Sequence, residues 1–168
     1  MSKLYGVFRI RIFVADYATV DATNEVNALG LRFICAAVQA KGFIAPMTVA
    51  ALVDIPPGHI GEDFAFELAL YDDAADQLVM GRSLTGEDAN ALRFAQHVAV
   101  ERGTAQSPAL QLPMTRSGPA TIMARFQAGL PLAIARTYEW RVHVAMAARP
   151  YWNLAFLRAG PSGNVVVG

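Results

Sequence analysis

The stretch YGVFRIRIFVADYATVDATNEVNALG, residues 5–30, decides the fold class that this chain predicts. Apolar side chains recur at every second position of its first half and form one apolar face: Phe8, Ile10, Ile12 and Val14. A period of two is typical of a β-strand that packs one face against a core. Four residues whose side chains stabilise turns follow this run: Asp16, Asp21, Asn24 and Glu25. We therefore expect a strand, an acidic turn, and a second extended piece that begins at Val26.

The rest of the chain repeats short alternating runs between turn signals. These runs predict seven further strands, at residues 27–38, 44–55, 62–71, 77–82, 92–100, 138–146 and 151–157. Pro46 lies near the start of the third strand of the chain and indicates an edge strand or a bulge there. A short helical turn is expected at residues 87–91. The pattern predicts an all-β protein, an antiparallel β-sandwich of about eight strands with a short helix.

A proline-rich segment, residues 103–135, interrupts this pattern. Prolines at 108, 113, 119 and 131 argue against a long helix or a central strand, and only two charged residues, Arg116 and Arg125, occur in it. A loop of this length is uncommon inside a compact domain, and its apolar content argues against disorder. Two interpretations remain open: the segment folds back over one sheet of its own domain, or it reaches a neighbouring subunit.

The composition indicates a chain that packs against other proteins. Apolar residues make up 54% of it and charged residues 17%, with 14 basic and 14 acidic side chains. A net charge of zero argues against nucleic-acid binding, which needs a basic surface, and removes the repulsion that keeps free proteins apart. We expect a single domain, residues 1–168, with an insertion at 103–135 and a C-terminal tail at 159–168. The tail contains three consecutive valines, Val165, Val166 and Val167, that we expect another chain to hold.

Neither a membrane segment nor a disulfide is expected. No window holds eighteen uninterrupted apolar residues, and the apolar run at the N-terminus contains Arg9 and Arg11, which favours a strand over a signal peptide. Cys35 is the single cysteine, so the sequence predicts no disulfide framework and no thiolate metal site.

No pattern in the chain predicts catalysis. His59, His97 and His143 lack metal-ligand spacing, and solvated histidines are the simpler interpretation. The acidic turn could supply oxygen ligands for calcium, but its spacing matches no EF-hand loop and turn capping explains the same residues. Neither a nucleophile elbow nor a glycine-rich phosphate loop occurs. We therefore expect a non-enzymatic protein without catalytic residues, cofactor or metal.

Part of the chain is similar to a known family. The motifs are ADYATVD and NEVNALG at residues 15–30, the alternating middle, and Y-x-W-R-V at residues 138–142 with the strand after it. They resemble a small β-sandwich family of bacteria, notably actinobacteria, and their phages, which is known as a domain of unknown function. The resemblance covers residues 1–80 and 138–168, and the proline-rich segment looks like an insertion. It implies a sandwich fold and a phage-associated setting, and it carries over no site residues.

These observations predict a structural subunit of a larger assembly, most simply a phage capsid decoration or minor capsid protein located in the virion. Its partners would be further copies of itself, a major capsid protein or another virion protein, with neither nucleic acid nor membrane bound. The residues expected at the interface are Leu110, Leu112, Met114, Ile122, Met123, Phe126, Leu130, Trp152, Val165, Val166 and Val167. The alternative function is a surface ligand- or carbohydrate-binding β-sandwich module, and the alternative location is the cytoplasm. Such a module would bind carbohydrate on exposed aromatic side chains. The neighbours Tyr151 and Trp152 are predicted to face opposite sides of a strand, so one of them is expected at a surface.

Overall fold

The structure is a computed structural model, and it describes residues 8–21, 26–31, 46–55, 63–80, 91–99, 120–127, 130, 132–133, 135–145 and 147–158. These residues are all-β, with every strand pair antiparallel. The strands are β1 (Arg9–Ala15), β2 (Tyr17–Val20), β3 (Val26–Leu29), β4 (Met47–Asp54), β5 (Asp63–Asp72), β6 (Gln77–Leu78), β7 (Arg93–Ala99), β8 (Ala120–Phe126), β9 (Arg136–Val144), β10 (Ala147–Ala148) and β11 (Leu154–Arg158). A 3-10 turn, Pro150–Trp152, precedes β11.

The first sheet has three strands in the order β1-β4-β8. Its register aligns apolar rows across the sheet, because Val49 on β4 pairs with Val14 on one side and with Ala124 on the other. β4 is buried along most of its length, as expected of the central strand of a sheet. Pro46 precedes the first paired residue, Met47, and so removes no hydrogen bond from the ladder. The expectation of an edge strand or a bulge at Pro46 is therefore wrong.

The second sheet has six strands, arranged around β5 and β9. β9 pairs with β5 on one side and with β10 and β11 on the other. β5 in turn carries β6 and β7 on its far side. The strict alternation of the sequence is confirmed here, because the even-numbered residues of both central strands are buried: Phe64, Phe66, Leu68, Leu70, Tyr138, Trp140, Val142 and Val144.

One hydrophobic core takes residues from both sheets. Phe8 lies against Phe64 with ring centroids 5.2 Å apart, and Phe126 on β8 lies against Trp140 on β9 at the same distance. The 3-10 turn packs against both β1 and β9, and its Trp152 is buried. Aromatic side chains therefore join the two sheets, since each ring buries a large apolar area.

Two predicted loops contain strands instead. β2 lies within the expected acidic turn and forms a two-stranded sheet with β3. β8 lies within the proline-rich segment, after Pro119, and pairs with β4 along its whole length. Prolines exclude a central strand, but β8 contains none and occupies the edge of its sheet, so the described part of this segment belongs to the chain's own fold.

Other expectations lie wholly or partly outside the described residues. These are the short helix at 87–91, the second predicted strand beyond residue 31, the residues of the proline-rich segment before 120, and the tail at 159–168.

The carboxylate of Asp72 stabilises the turn between β5 and β6 through hydrogen bonds. Its Oδ1 accepts hydrogen bonds from the backbone amides of Ala74 and Ala75 at 3.1 and 3.3 Å, and its Oδ2 accepts one from Arg136 Nη1 at 2.6 Å. The Arg136 hydrogen bond lowers the pKa of the Asp72 carboxyl below its usual value, with smaller help from the two amides, while burial acts in the opposite direction. The Asp72 side chain is only 13% exposed, although Arg136 is 55% exposed.

We predict that Asp72→Asn lowers the melting temperature at neutral pH and that this difference fades in acid. A carboxyl whose pKa is lowered by folding adds stability above its unfolded-state pKa, about 3.9, and loses that contribution as the pH falls through the lower folded-state value. Thermal melts of both proteins between pH 7 and pH 2.5 measure the difference. Asp73→Asn, at the exposed neighbouring turn position, is the matched control and should follow wild type. A difference between Asp72→Asn and wild type that stays constant over the whole pH range would contradict the assignment.

Candidate interaction surface

The structure places the predicted interface residues in different environments. Ile122 and Leu130 are buried in the chain's own core, and Met123 and Phe126 on β8 are half-buried. Phe126 packs on Trp140, as described above. The described part of the proline-rich segment therefore belongs to the chain's own fold, in which β8 is the edge strand of the three-stranded sheet. The remaining predicted residues lie outside the described part of the chain: Leu110, Leu112, Met114, Val165, Val166 and Val167.

The aromatic pair near the C-terminus divides between the core and the surface. Tyr151 is 65% exposed, whereas Trp152 is 1% exposed, and the turn that holds both residues contacts β1 and β9. Their rings meet edge to face at 5.8 Å. The expectation that one of the two lies at the surface is confirmed, but that residue is Tyr151. With Trp140 and Tyr138 also buried, these aromatics do not form an exposed stacking platform for a sugar.

A different apolar surface is exposed on the β2–β3 hairpin. Tyr17 and Leu29 are directly paired across the two strands and are 55% and 70% exposed. Leu31, 50% exposed, follows two residues after Leu29. We call these three residues the hairpin patch. Side chains of this size at paired positions form a continuous apolar area, in contrast to the scattered exposed apolar residues that are normal on proteins.

Hydrogen bonds to backbone atoms hold the β2–β3 hairpin against the three-stranded sheet. The Asp16 amide donates to the carbonyls of Leu29 and Gly30 at 3.1 and 3.3 Å, which closes the open end of the hairpin. β2 contacts β4, and Arg125 Nη2 on β8 donates to the Ala18 carbonyl at 3.2 Å. Ala18 is fully buried, so one face of the hairpin lies on the protein body while the patch faces outward.

Gly30 allows this closure because of its backbone conformation. Its φ of +67° is one that residues with side chains rarely adopt. A Cβ at this position would also lie 2.7 Å from Asp16 Cγ and 3.0 Å from Asp16 Cβ. A side chain at this position would therefore strain the backbone and displace the side chain of Asp16.

The hairpin patch could not be predicted from the sequence, because Tyr17 falls among turn-forming residues. The available signal was the run Tyr17–Val20, four residues with two β-branched side chains, facing Val26–Leu29 across a polar connection. Acidic residues on both sides of Tyr17–Val20 favoured the prediction of a turn over that of a strand. A four-residue strand is too brief for period two to stand out.

The charged residues considered for metal binding do not form a metal site in the described part of the chain. No group of three or more His, Cys, Asp and Glu side chains there is arranged to hold an ion. In the acidic turn, Asp21 Oδ2 accepts a long hydrogen bond from Asn27 Nδ2 at 3.5 Å, while residues 24 and 25 lie outside the described ranges. His97 and His143 line one surface pocket with Glu67, and His59 lies outside the described residues.

Comparisons with known proteins leave the function to be argued from these residues. The chain matches no family model, no curated protein and no solved structure. Within its described residues, no helix has the length and apolar character needed to cross a membrane.

Proposed function

We propose that the chain is a non-enzymatic structural subunit that docks onto other protein subunits through the hairpin patch. The observation that carries this proposal is the paired exposure of Tyr17 and Leu29, with Leu31 beside them. Burying such a patch against another subunit is favourable by roughly 25 cal/mol for each Å² of apolar surface removed from water. Exposed aromatic side chains such as Tyr17 are also enriched at protein interfaces.

The composition supports the same proposal. With 14 basic and 14 acidic residues the chain has no net charge to oppose association. Polar residues next to the patch, Asp16 and Asn27, are exposed and provide the kind of polar rim that surrounds the apolar centre of many interfaces. A partner subunit would thus meet an apolar centre with polar side chains beside it.

The proposed setting is a phage virion, with the chain as a capsid decoration or other minor capsid protein. The resemblance of residues 1–80 and 138–168 to a phage-associated family supports this setting. The partners would be copies of the chain itself, a major capsid protein or another virion protein. A cytoplasmic assembly of the same kind is the alternative location.

The same proposal includes an antiparallel β-sandwich of about eight principal strands. Its support is the shared core and the two aromatic contacts of 5.2 Å that link the three-stranded sheet to the six-stranded one. Packing two sheets face to face over such a core is the usual way to bury the apolar side of each.

We predict that the purified chain is oligomeric at micromolar concentration and that Tyr17→Lys with Leu29→Lys converts it to a monomer. Two charges placed at paired positions of the patch have to be desolvated in any interface that covers it, which strongly opposes association. Sedimentation velocity measures the mass of both proteins, and circular dichroism checks that the variant keeps its fold.

Met80→Lys is the matched control, because Met80 is 52% exposed but lies after β6 on the other sheet. It should retain the oligomeric mass of wild type. A wild-type chain that stays monomeric at high concentration would contradict self-association, and an oligomeric wild type whose doubly substituted variant keeps the same mass would contradict the hairpin patch as the interface.

A further inference from the structure

The outer face of the six-stranded sheet holds a pocket separate from the hairpin patch. It lies across β7, β5 and β9 and has a volume of about 380 Å³, within the range of small-molecule sites. Its lining residues are Ala65, Phe66, Glu67, Ala95, Gln96, His97 and His143. Two exposed alanines, Ala65 and Ala95, contribute only methyl groups, and this leaves room above the sheet.

Glu67 and His143 form the polar centre of this pocket. They are direct cross-strand partners, so their Cβ atoms lie about 5 Å apart on the same face of the sheet. Among the described residues, neither side chain makes a hydrogen bond or an ion pair, and His143 Nδ1 is buried without a partner. Trp140 Nε1 on the same strand is also buried without a partner, but it belongs to the core, whereas His143 lies at the pocket beside a second unpaired polar side chain.

The burial of Nδ1 indicates which hydrogen-bonding groups the pocket offers. Nδ1 is buried, so Nε2 is the ring nitrogen of His143 that can reach a ligand in the pocket. An imidazole with its hydrogen on Nε2 donates there, whereas the neighbouring carboxylate of Glu67 only accepts. The pocket therefore presents a donor and an acceptor side by side.

The charge of the pocket argues against an anionic ligand. Arg141, two residues before His143 on β9, is already paired with Glu139 and Asp76 and lies over the ring of Tyr71, so its charge does not balance that of Glu67. The carboxylate of Glu67 therefore repels an anion. A neutral ligand that both donates and accepts hydrogen bonds fits the two polar groups of the pocket.

We propose that this pocket binds a sugar through two neighbouring hydroxyl groups. Each hydroxyl can donate and accept, so one donates to Glu67 while the other accepts from His143 Nε2, and the ring lies over Ala65 and Ala95. His97, opposite Ala65 on β7, stands at the rim and is the next group that a larger glycan would meet. The site requires neither metal nor cofactor and does not depend on the proposed docking through the hairpin patch.

The test is a glycan array probed with the full chain, followed by titration of the best-retained sugar as its free methyl glycoside. Glu67→Gln should weaken binding about 10- to 100-fold, as expected when a charged hydrogen-bond acceptor is lost. Ala95→Leu, which fills the pocket and leaves its polar groups in place, should abolish binding. Asp63→Asn, on the same face of β5 but outside the pocket, is the control and should bind as wild type does.

Two results would overturn the proposal: no glycan retained on the array, or binding that survives both Glu67→Gln and Ala95→Leu in folded protein. The Tyr17→Lys, Leu29→Lys protein separates this site from docking, because it should lose its oligomeric mass and still bind the sugar. Loss of glycan binding in that variant, with its fold intact, would place the sugar site on the hairpin patch and also count against the pocket.

Discussion

Trp152→Ala is expected to lower the free energy of unfolding by about 3–5 kcal/mol, the usual cost of truncating a buried tryptophan to alanine. Trp152 is 1% exposed, and its 3-10 turn packs against β1 of one sheet and β9 of the other. Its removal opens a cavity at the junction of the two sheets, and the surrounding backbone cannot close it without moving whole strands. Urea denaturation followed by far-ultraviolet circular dichroism measures the loss.

Tyr151→Ala is the matched control for this substitution. The two residues are neighbours in sequence, but Tyr151 is 65% exposed, so its removal should cost about 1 kcal/mol or less, mostly the edge-to-face contact with Trp152. If instead Trp152→Ala left stability unchanged and Tyr151→Ala lowered it, the assignment of these two side chains to core and surface would be reversed.

Ile122→Ala is expected to cost about 2–5 kcal/mol, because Ile122 is 3% exposed and belongs to the shared core. It lies on β8 and pairs with Ala51 of the central strand β4, so the lost methyl groups leave a cavity in the middle of the first sheet. The same denaturation experiment measures the change, and sedimentation velocity compares the mass of the folded protein with wild type.

Gln127→Ala, at the exposed residue after β8, should stay within about 0.5 kcal/mol of wild type. The oligomeric mass of Ile122→Ala should also match wild type in native buffer. A variant of normal stability that had become monomeric would show that β8 serves an intersubunit contact, which is the second interpretation of the proline-rich segment.

The long strands of the chain could be predicted from sequence because their physical signal is strong. β5 has four buried apolar residues at alternate positions, from Phe64 to Leu70, and β9 has four more, from Tyr138 to Val144. A run of this length has few alternatives, since a shift by one residue would expose the whole apolar set. Both strands and the turn at Asp72 are found where the alternation predicts them.

The shorter strands could not be predicted in the same way. Prolines occur on both sides of β8 in the sequence, and prolines argue against a strand. In the structure they lie outside the paired residues of β8, so the strand can form. Trp152 was expected on a strand, whereas it lies in a 3-10 turn, and no local rule shows which of two adjacent aromatics a turn will bury.

Neither proposed surface could be predicted from sequence, for a related reason. Glu67 and His143 are far apart in the chain and meet only through the register of β5 with β9. Tyr17 and Leu29 likewise become neighbours only when β2 pairs with β3. Strand pairing depends on contacts between residues that are far apart in the chain, and the alternation within one strand does not show which strand is its partner.

The central position of β5 in its sheet affects how the chain folds during synthesis on the ribosome. This strand is complete once residue 72 has been synthesised, yet its partner β9 follows only after about 70 more residues, at several residues per second. During that interval the backbone N–H and C=O groups on one edge of the apolar strand β5 lack their partner strand. Unpaired strand edges of this kind promote aggregation of nascent chains. Production of this protein in a foreign host is therefore expected to benefit from slow translation or abundant chaperones.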